Sequence, residues 1–424
     1  MAILTSRLPI DKRREAEMSL FQLLKPEVVA NPYPFYERLR KEEPVRWDPF
    51  LHSWVVTSYA ECALAMTKYN VARTPTPEYL VSMGLEVLAP YAELMLKQIL
   101  FMDAPGHIRL RAVCANAFTP RRIEVLREQA HAMAHALIDA VMERGEMDLI
   151  ADYAAPFPTQ VLTAMIGLPI EDCARIKQWA SGIAELIGNF EHSADRVGPL
   201  MANMREMQAY LHAQVAAQRV SPREGVISVL LKSDVAGEPL NDDEIVSNVI
   251  LMISGGLEEP CNLIGCGTFS LLQQRPLWDQ LCANPQILPA AVEELLRYES
   301  PTQQTGRVAP EDTELGGQII RKGDVVTIVV GAANRDPLRF FEPDKINLER
   351  SDNRHLAFGW ASHYCIGAPL ARLTGQVALG VLTQRLPDLE LETTTPEWRR
   401  MASLRGIIAL PVRFSRELAR SARA

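Results

Sequence analysis

The sequence predicts a mainly α-helical protein with a smaller β-rich region. Three observations carry that expectation. Apolar residues recur at helical spacing through residues 123–142, 161–166 and 201–215, the pattern of helices that each bury one face. Residues 47–57 read as a short hairpin, and the unbroken run Val325-Val326-Thr327-Ile328-Val329-Val330 reads as a buried strand. Proline supplies the punctuation: Pro32, Pro34 and Pro44 divide the opening elements, and Pro337 and Pro343 mark a meandering connection after the strand.

With 424 residues and a 48% hydrophobic composition, the chain can bury one large core or two smaller ones. The stretch Arg219-Val220-Ser221-Pro222-Arg223-Glu224-Gly225 is polar and turn-prone, so a split near residue 220 is conceivable. Chemistry-bearing residues fall on both sides of it, and a single domain over 1–424 is expected. A formal charge of -8, with no aromatic and basic interleaving, argues against nucleic-acid binding as the main role. The opening Met1-Ala2-Ile3-Leu4-Thr5-Ser6-Arg7 lacks the apolar run of a signal or anchor, which leads to the expectation of a cytoplasmic protein with no membrane partner. Cys62, Cys114, Cys173, Cys261, Cys266, Cys282 and Cys365 are scattered without a CxxC pair, unlike a disulfide framework, a structural zinc site or an iron–sulfur set. No internal repeat is evident.

One cysteine stands apart. Phe358-Gly359-Trp360-Ala361-Ser362-His363-Tyr364-Cys365-Ile366-Gly367 places Cys365 in a glycine-bounded turn, ahead of the helix-forming run Ala368-Pro369-Leu370-Ala371-Arg372. A lone cysteine is ordinarily a buried core residue. Here the glycines would let backbone approach a flat cofactor, and amide hydrogens at a helix N-terminus would stabilise a sulfur anion able to hold haem iron. The stretch resembles the ligand loop of the cytochrome P450 family. That family's pattern, Phe-Gly-x-Gly-x-His/Arg-x-Cys-x-Gly, is matched at Phe358, Gly359, His363, Cys365 and Gly367, with Ala361 where the second glycine is expected.

Further stretches extend the resemblance in the required order. In Val292-Glu293-Glu294-Leu295-Leu296-Arg297, Glu294 and Arg297 are three apart and share a helix face; alone they would read as a solvated ion pair. The resemblance implies instead a buried structural network with Arg350 that braces the cysteine loop. In Phe101-Met102-Asp103-Ala104-Pro105-Gly106-His107-Ile108-Arg109-Leu110-Arg111, the four-residue spacing of His107 and Arg111 suits either a surface helix start or, by the resemblance, a grip on haem propionates. Arg307 and His355 are further propionate candidates, and His363 either joins them or satisfies the loop backbone. Asn334-Arg335-Asp336-Pro337 with Phe341-Glu342-Pro343-Asp344 is similar to the family's meander, and Leu404-Arg405-Gly406-Ile407-Ile408-Ala409-Leu410-Pro411 to its terminal hairpin. The implied fold is a triangular helical prism with a smaller β-rich region, and the implied cofactor is haem b, iron protoporphyrin IX.

The segment Met252-Ile253-Ser254-Gly255-Gly256-Leu257-Glu258-Glu259-Pro260 departs from the family. Where the family presents an acid followed by threonine, this chain has Glu258 and Glu259. Pro260 then removes a backbone donor, and Gly255-Gly256 suggests a break in the helix. A carboxyl held in a dry pocket can carry protons if its affinity is tuned, so Glu258 and Glu259 are the catalytic candidates, with surface acidity the competing reading. The resemblance implies a monooxygenase that places one atom of dioxygen on a small to medium organic substrate, by hydroxylation or oxidative demethylation. No Rossmann fingerprint, flavin domain or ferredoxin cysteine set is present, so a separate ferredoxin or flavodoxin with its reductase is the expected partner. A peroxide-dependent peroxygenase using Glu259 as acid and base, or a noncatalytic haem-binding protein, are the alternatives. By family position, Leu80, Val81, Met83, Leu85, Leu88, Ile183, Leu186, Ile187, Leu257, Thr302, Gln303 and Leu404 would furnish an apolar substrate pocket; all twelve serve equally well as core packing.

Overall fold

The computed structural model describes residues 10–72, 74–188, 194–235 and 238–417. Eight of its helices position the site: α1 (Gly106–Ala117), α2 (Arg127–Val141), α3 (Pro156–Ile166), α4 (Cys173–Gly188), α5 (Ala194–Val220), α6 (Asp242–Leu272), α7 (Leu288–Tyr298) and α8 (Ala368–Arg385). The long central helix α6 begins at a capping box, in which Asn241 and Glu244 each accept the other's backbone N–H, and its first turn carries three acids that suit the positive helix end. Apolar residues surround it on nearly every side because α3, α4, α5 and α8 all pack against it. By length and composition α6 could cross a membrane, but 78% of its apolar window is buried inside the fold, as in a core helix.

Among the described residues, two sheets of three or more strands make up most of the β structure, beside two two-stranded pairings, Asp234–Val235 with Glu238–Pro239 and Thr313–Leu315 with Gln318–Ile320. Strands β1 (Val45–Asp48) and β2 (Ser53–Val56) form the expected hairpin, with Asp48 opposite Ser53. After β3 (Glu146–Asp148), the chain returns to the first sheet as β4 (Thr305–Val308) and β5 (Val325–Ile328), giving the order β1-β2-β5-β4 with β2 and β5 parallel. Strands β6 (Glu390–Leu391) and β7 (Pro411–Arg413) pair beside β3 in the order β6-β7-β3.

Several boundaries differ from the sequence expectation. The apolar stripe over 123–142 divides into a short helix, Pro120–Glu124, and α2. The run 325–330 leaves the sheet after Ile328, because Gly331 N–H donates to Gln303 O and residues Val330–Ala333 wind into a helical turn. A Cβ at Gly331 would lie 2.3 Å from Gln303 Oε1, so only glycine fits that crossing. The turn-prone 219–225 stretch is exposed but anchored at its end: α5 runs to Val220, and Gly225, at φ +146°, sits so close to Gly167 that a Cβ would come within 2.6 Å of Gly167 N. The glycine pair of α6 does not break the helix. Gly256 lets α3 approach, since a Cβ there would meet Leu162 at 2.8 Å, while Gly255 is exposed with nothing within 4 Å of a Cβ.

Candidate functional site

The cysteine loop is shaped by backbone conformation before any charge acts. Gly359 adopts φ +72°, and Ala361, in the place of the second glycine, is also left-handed at φ +54°. Cys365 N–H donates to Phe358 O at 2.8 Å, which closes the loop. Cys365 exposes surface, yet burial is what pushes its thiol up, so the sulfur opens onto an enclosed internal space. The N–H groups of Gly367 and Ala368 act the other way and favour the anion, Glu259 of α6 raises the thiol across the space, and Arg111 of α1 lowers it. A cation seated on the sulfur would supply what the surroundings lack to hold a thiolate there.

Behind the loop lies a buried network of Glu294, Arg297 and Arg350, where the spacing alone would read as a solvated ion pair and the family resemblance implied burial. The side chains of Glu294 and Arg297 are fully buried. Arg297 donates to Glu294 through Nε at 2.8 Å and Nη2 at 2.7 Å, and to the carbonyls of Asn334, Pro343 and Lys345. Arg350 Nε donates to Glu294 Oε2 at 3.0 Å, and Asn347 N–H and Asn353 Nδ2 also donate to this carboxylate. Burial opposes the charge on Glu294, but the bonds and charge of Arg297 and the bond from Arg350 hold its carboxyl below the usual range.

In front of the loop, basic groups converge from three segments: α1, β4 and the loop itself. The rings of His107 and His363 stack with centroids 4.0 Å apart and planes 30° from parallel. Burial, then His107, Arg307 and Arg111, push His363 down to about 4, against the pull of Asp103. Burial and Arg111 lower His107 as well, and its Nε2 is buried without a hydrogen-bond partner. Asp103 is occupied, accepting the N–H groups of Val71 and Ala72. Arg111 Nη2 donates to Tyr364 O, beside Cys365. A dense cluster of donors with so little acid beside it calls for anions, and the two carboxylates of a haem next to a cysteine fit that demand. His363, ranked behind the others from sequence, stands at the centre of this cluster. On His355, Nδ1 accepts from Ala357 N–H at 3.2 Å, while Nε2 is buried 3.4 Å from Glu293 Oε2 and, like His107 Nε2, makes no hydrogen bond.

Across the space, the two adjacent acids of α6 differ sharply. Glu258 is buried, accepting from Ser181 Oγ of α4 at 2.7 Å and from Arg399 Nη1. Glu259 Oε2 is buried with no partner, and burial, reinforced by Glu258, raises its carboxyl to about 8. Glu259 is therefore largely protonated at neutral pH and able to donate from a site that faces Cys365. Of the pocket candidates, Leu80, Ile183 and Leu257 are buried, and Leu88, Thr302 and Leu404 are half-buried. Val81, Met83 and Leu85 face solvent because their segment wraps the outside of the fold, which corrects their assignment to an enclosed wall. Gln303 is also corrected: its amide donates to Ser300 O and packs against Gly331, on the β-rich side. The side chains of Leu186 and Ile187 lie outside the described residues. Sequence reasoning missed Glu293, Arg372, Ser181 and Arg399, whose partners lie 77 to 141 residues away.

The comparisons agree with this geometry. A family model described as Cytochrome P450 matches residues 271–414. A polyketide biosynthesis cytochrome P450, PksS, from Bacillus subtilis (strain 168) is 34% identical over 398 residues, covering 91% of this chain and 96% of that protein. A biotin biosynthesis cytochrome P450 from the same strain is 37% identical over 394 residues, covering 92% and 97%. The solved structure of P450BioI in complex with hexadec-9Z-enoic acid ligated acyl carrier protein superposes with a TM-score of 0.85 at 35% identity, over 92% of this chain and 99% of that one.

Proposed function

Because the chain belongs to the cytochrome P450 family of haem-iron enzymes, we propose that it is a haem b monooxygenase for a small to medium apolar substrate. The carrying observation is Cys365, opening onto an enclosed space beside the cluster of His107, Arg111, Arg307 and His363. Haem, when bound, supplies the reduction of dioxygen and the transfer of one oxygen atom to the substrate. Cys365 holds the iron, while His107, His363, Arg111 and Arg307 receive the propionates. Leu257 and the neighbouring apolar face of α6 exclude water, and exposed Gly255 leaves room beside them. Glu259 holds a proton at its carboxyl at neutral pH and delivers it toward the oxygen-binding space, with Glu258 fixing the helix at Ser181 and Arg399.

Hydroxylation or oxidative demethylation both fit this arrangement. One relative is named for polyketide biosynthesis and another is solved with an acyl carrier protein, which favours an acyl chain, free or carrier-bound, as the first substrate class to test. Electrons come from a separate ferredoxin or flavodoxin and its reductase, in the cytoplasm. The unpartnered Glu259 Oε2 also favours a second reading, a peroxygenase in which the carboxyl takes a proton from peroxide and returns it to the departing oxygen. The deciding experiment is a substrate screen followed through the haem spectrum, with product analysis under electron-supported and peroxide-only conditions. Electron-dependent product supports the first reading, peroxide-only product the second, and reversible ligand binding without product in either assay overturns both.

A further inference from the structure

Glu293, immediately before the buried Glu294, carries no role in the network behind the loop, and its own partners lead elsewhere. Arg372 of α8 grips its carboxylate in a fork, Nε to Oε1 and Nη2 to Oε2, both at 2.8 Å. The same Nη2 donates to the hydroxyl of Tyr364, the residue before Cys365, at 3.2 Å. The Arg372 guanidinium also stands 4.7 Å over the ring of Phe358, the first residue of the loop. On its other flank, Glu293 Oε2 lies 3.4 Å from His355 Nε2, and His355 Nδ1 receives the N–H of Ala357, which leads into Phe358. One carboxylate thus reaches the segment entering the loop and, through one arginine, the residue leading into the cysteine.

We propose that Glu293 is a positioning residue for the thiolate: acting through Arg372, Tyr364 and His355, it fixes both ends of the Cys365 loop and neutralises the guanidinium that bridges them. This rests on the reading that Cys365 holds haem iron. The fork is bidentate and half-buried, the arrangement in which an arginine fixes orientation as well as charge. Burial raises Glu293, but the bonds and charges of Arg372 and His355 outweigh it and bring the carboxyl down to about 2, so the pair stays ionised throughout the working pH range.

Two variants separate the two effects. Tyr364→Phe keeps the ion pair and removes the hydroxyl that connects it to the loop, whereas Glu293→Gln removes the charge that offsets Arg372. In the reduced, carbon monoxide-bound holoenzyme, Tyr364→Phe is expected to lose the thiolate absorption band about fivefold faster on mild acidification, the effect of one hydrogen bond. Glu293→Gln is expected to do the same and, in addition, to shift the haem reduction potential in the positive direction, because an uncompensated guanidinium favours the electron. A carboxylate that merely ties α7 to α8 would lower the unfolding temperature of Glu293→Gln and leave the band and the potential unmoved. Wild-type persistence of the band in both variants, with an unshifted potential in Glu293→Gln, overturns the proposal. If Glu293→Gln fails to fold, wild-type band persistence in Tyr364→Phe overturns it alone. A wild-type protein without any thiolate band refutes the Cys365 reading itself, a result distinct from a band that is present but indifferent to these variants.

Discussion

Two glutamate pairs, Glu293-Glu294 and Glu258-Glu259, are identical as dipeptides and opposite in their surroundings. In the first pair both carboxylates are held by arginines, Glu293 by Arg372 and Glu294 by Arg297 and Arg350, and both are depressed below their ordinary range. In the second, Glu258 is gripped by Arg399 and Ser181, while Glu259 next to it has a buried, unpartnered oxygen and is raised to about 8. The first region spends its acids on rigidity around the cysteine. The second keeps one acid uncommitted, as a group meant to exchange a proton must be, since a carboxylate locked to an arginine has lost its affinity for one.

The largest expected effect tests the rigid region at its centre. Cys365→Ser should abolish the thiolate absorption signature of the reduced, carbon monoxide-bound protein, because serine is a poor substitute at iron; an unchanged band would remove Cys365 as the ligand. Next in size, Glu294→Gln and Arg297→Lys should each lower stability by about 3 to 5 kcal/mol and reduce haem retention, since each leaves a buried charge without its full complement. Denaturant unfolding and haem content measure this, and near-wild-type values in both would return the pair to the ranks of surface ion pairs.

The uncommitted acid yields a smaller but more telling pair of effects. Glu259→Gln should fold and reduce productive turnover on the order of 100-fold, while Glu259→Thr tests whether a hydroxyl restores electron-supported chemistry. Coupling of electron use to product, measured beside a peroxide-only assay, distinguishes the two enzymatic readings, and unchanged values for both variants in both assays would defeat the proton role. The same residue has a signature in stability. Its folded value of about 8 lies above the ordinary 4.5, so between those values the folded protein binds a proton that the unfolded chain lacks. Its contribution therefore falls as pH rises through that window and is level above it. Subtracting the unfolding curve of Glu259→Gln from that of the wild type should expose this downward slope. A flat difference would show that the carboxyl is satisfied in solution. The smallest effect is Ala361→Gly, which relieves a left-handed alanine and should stabilise the holoenzyme by about 1 kcal/mol, read as a raised unfolding temperature.

What the sequence disclosed follows the reach of the interactions. Cys365, the Glu294 and Arg297 pair and the turn residues around them are written in spacings of a few residues, so motif and structure coincide. The β1–β2 hairpin and the helical stripes are local as well. Glu293 was passed over because Arg372 lies 79 residues away, and nothing near His355 in the sequence reveals that Glu293 faces it. The expected break at Gly255-Gly256 failed for the same reason. The glycines accommodate Leu162 of α3 and open space, and neither neighbour is visible from within α6.

The Arg399 contact has a consequence in time. Glu258 of the central helix receives its facing guanidinium from Arg399, and Glu299, which Arg335 also faces at 3.6 Å, receives another from Arg405. During synthesis Glu258 leaves the ribosome 141 residues before Arg399, and Glu299 leaves it 106 residues before Arg405. Until then each carboxylate lacks that cation, and water rather than protein is its preferred surrounding. The contacts that tie the last stretch of chain to the central helix and to the end of α7 therefore form only once residues 399 and 405 have been made.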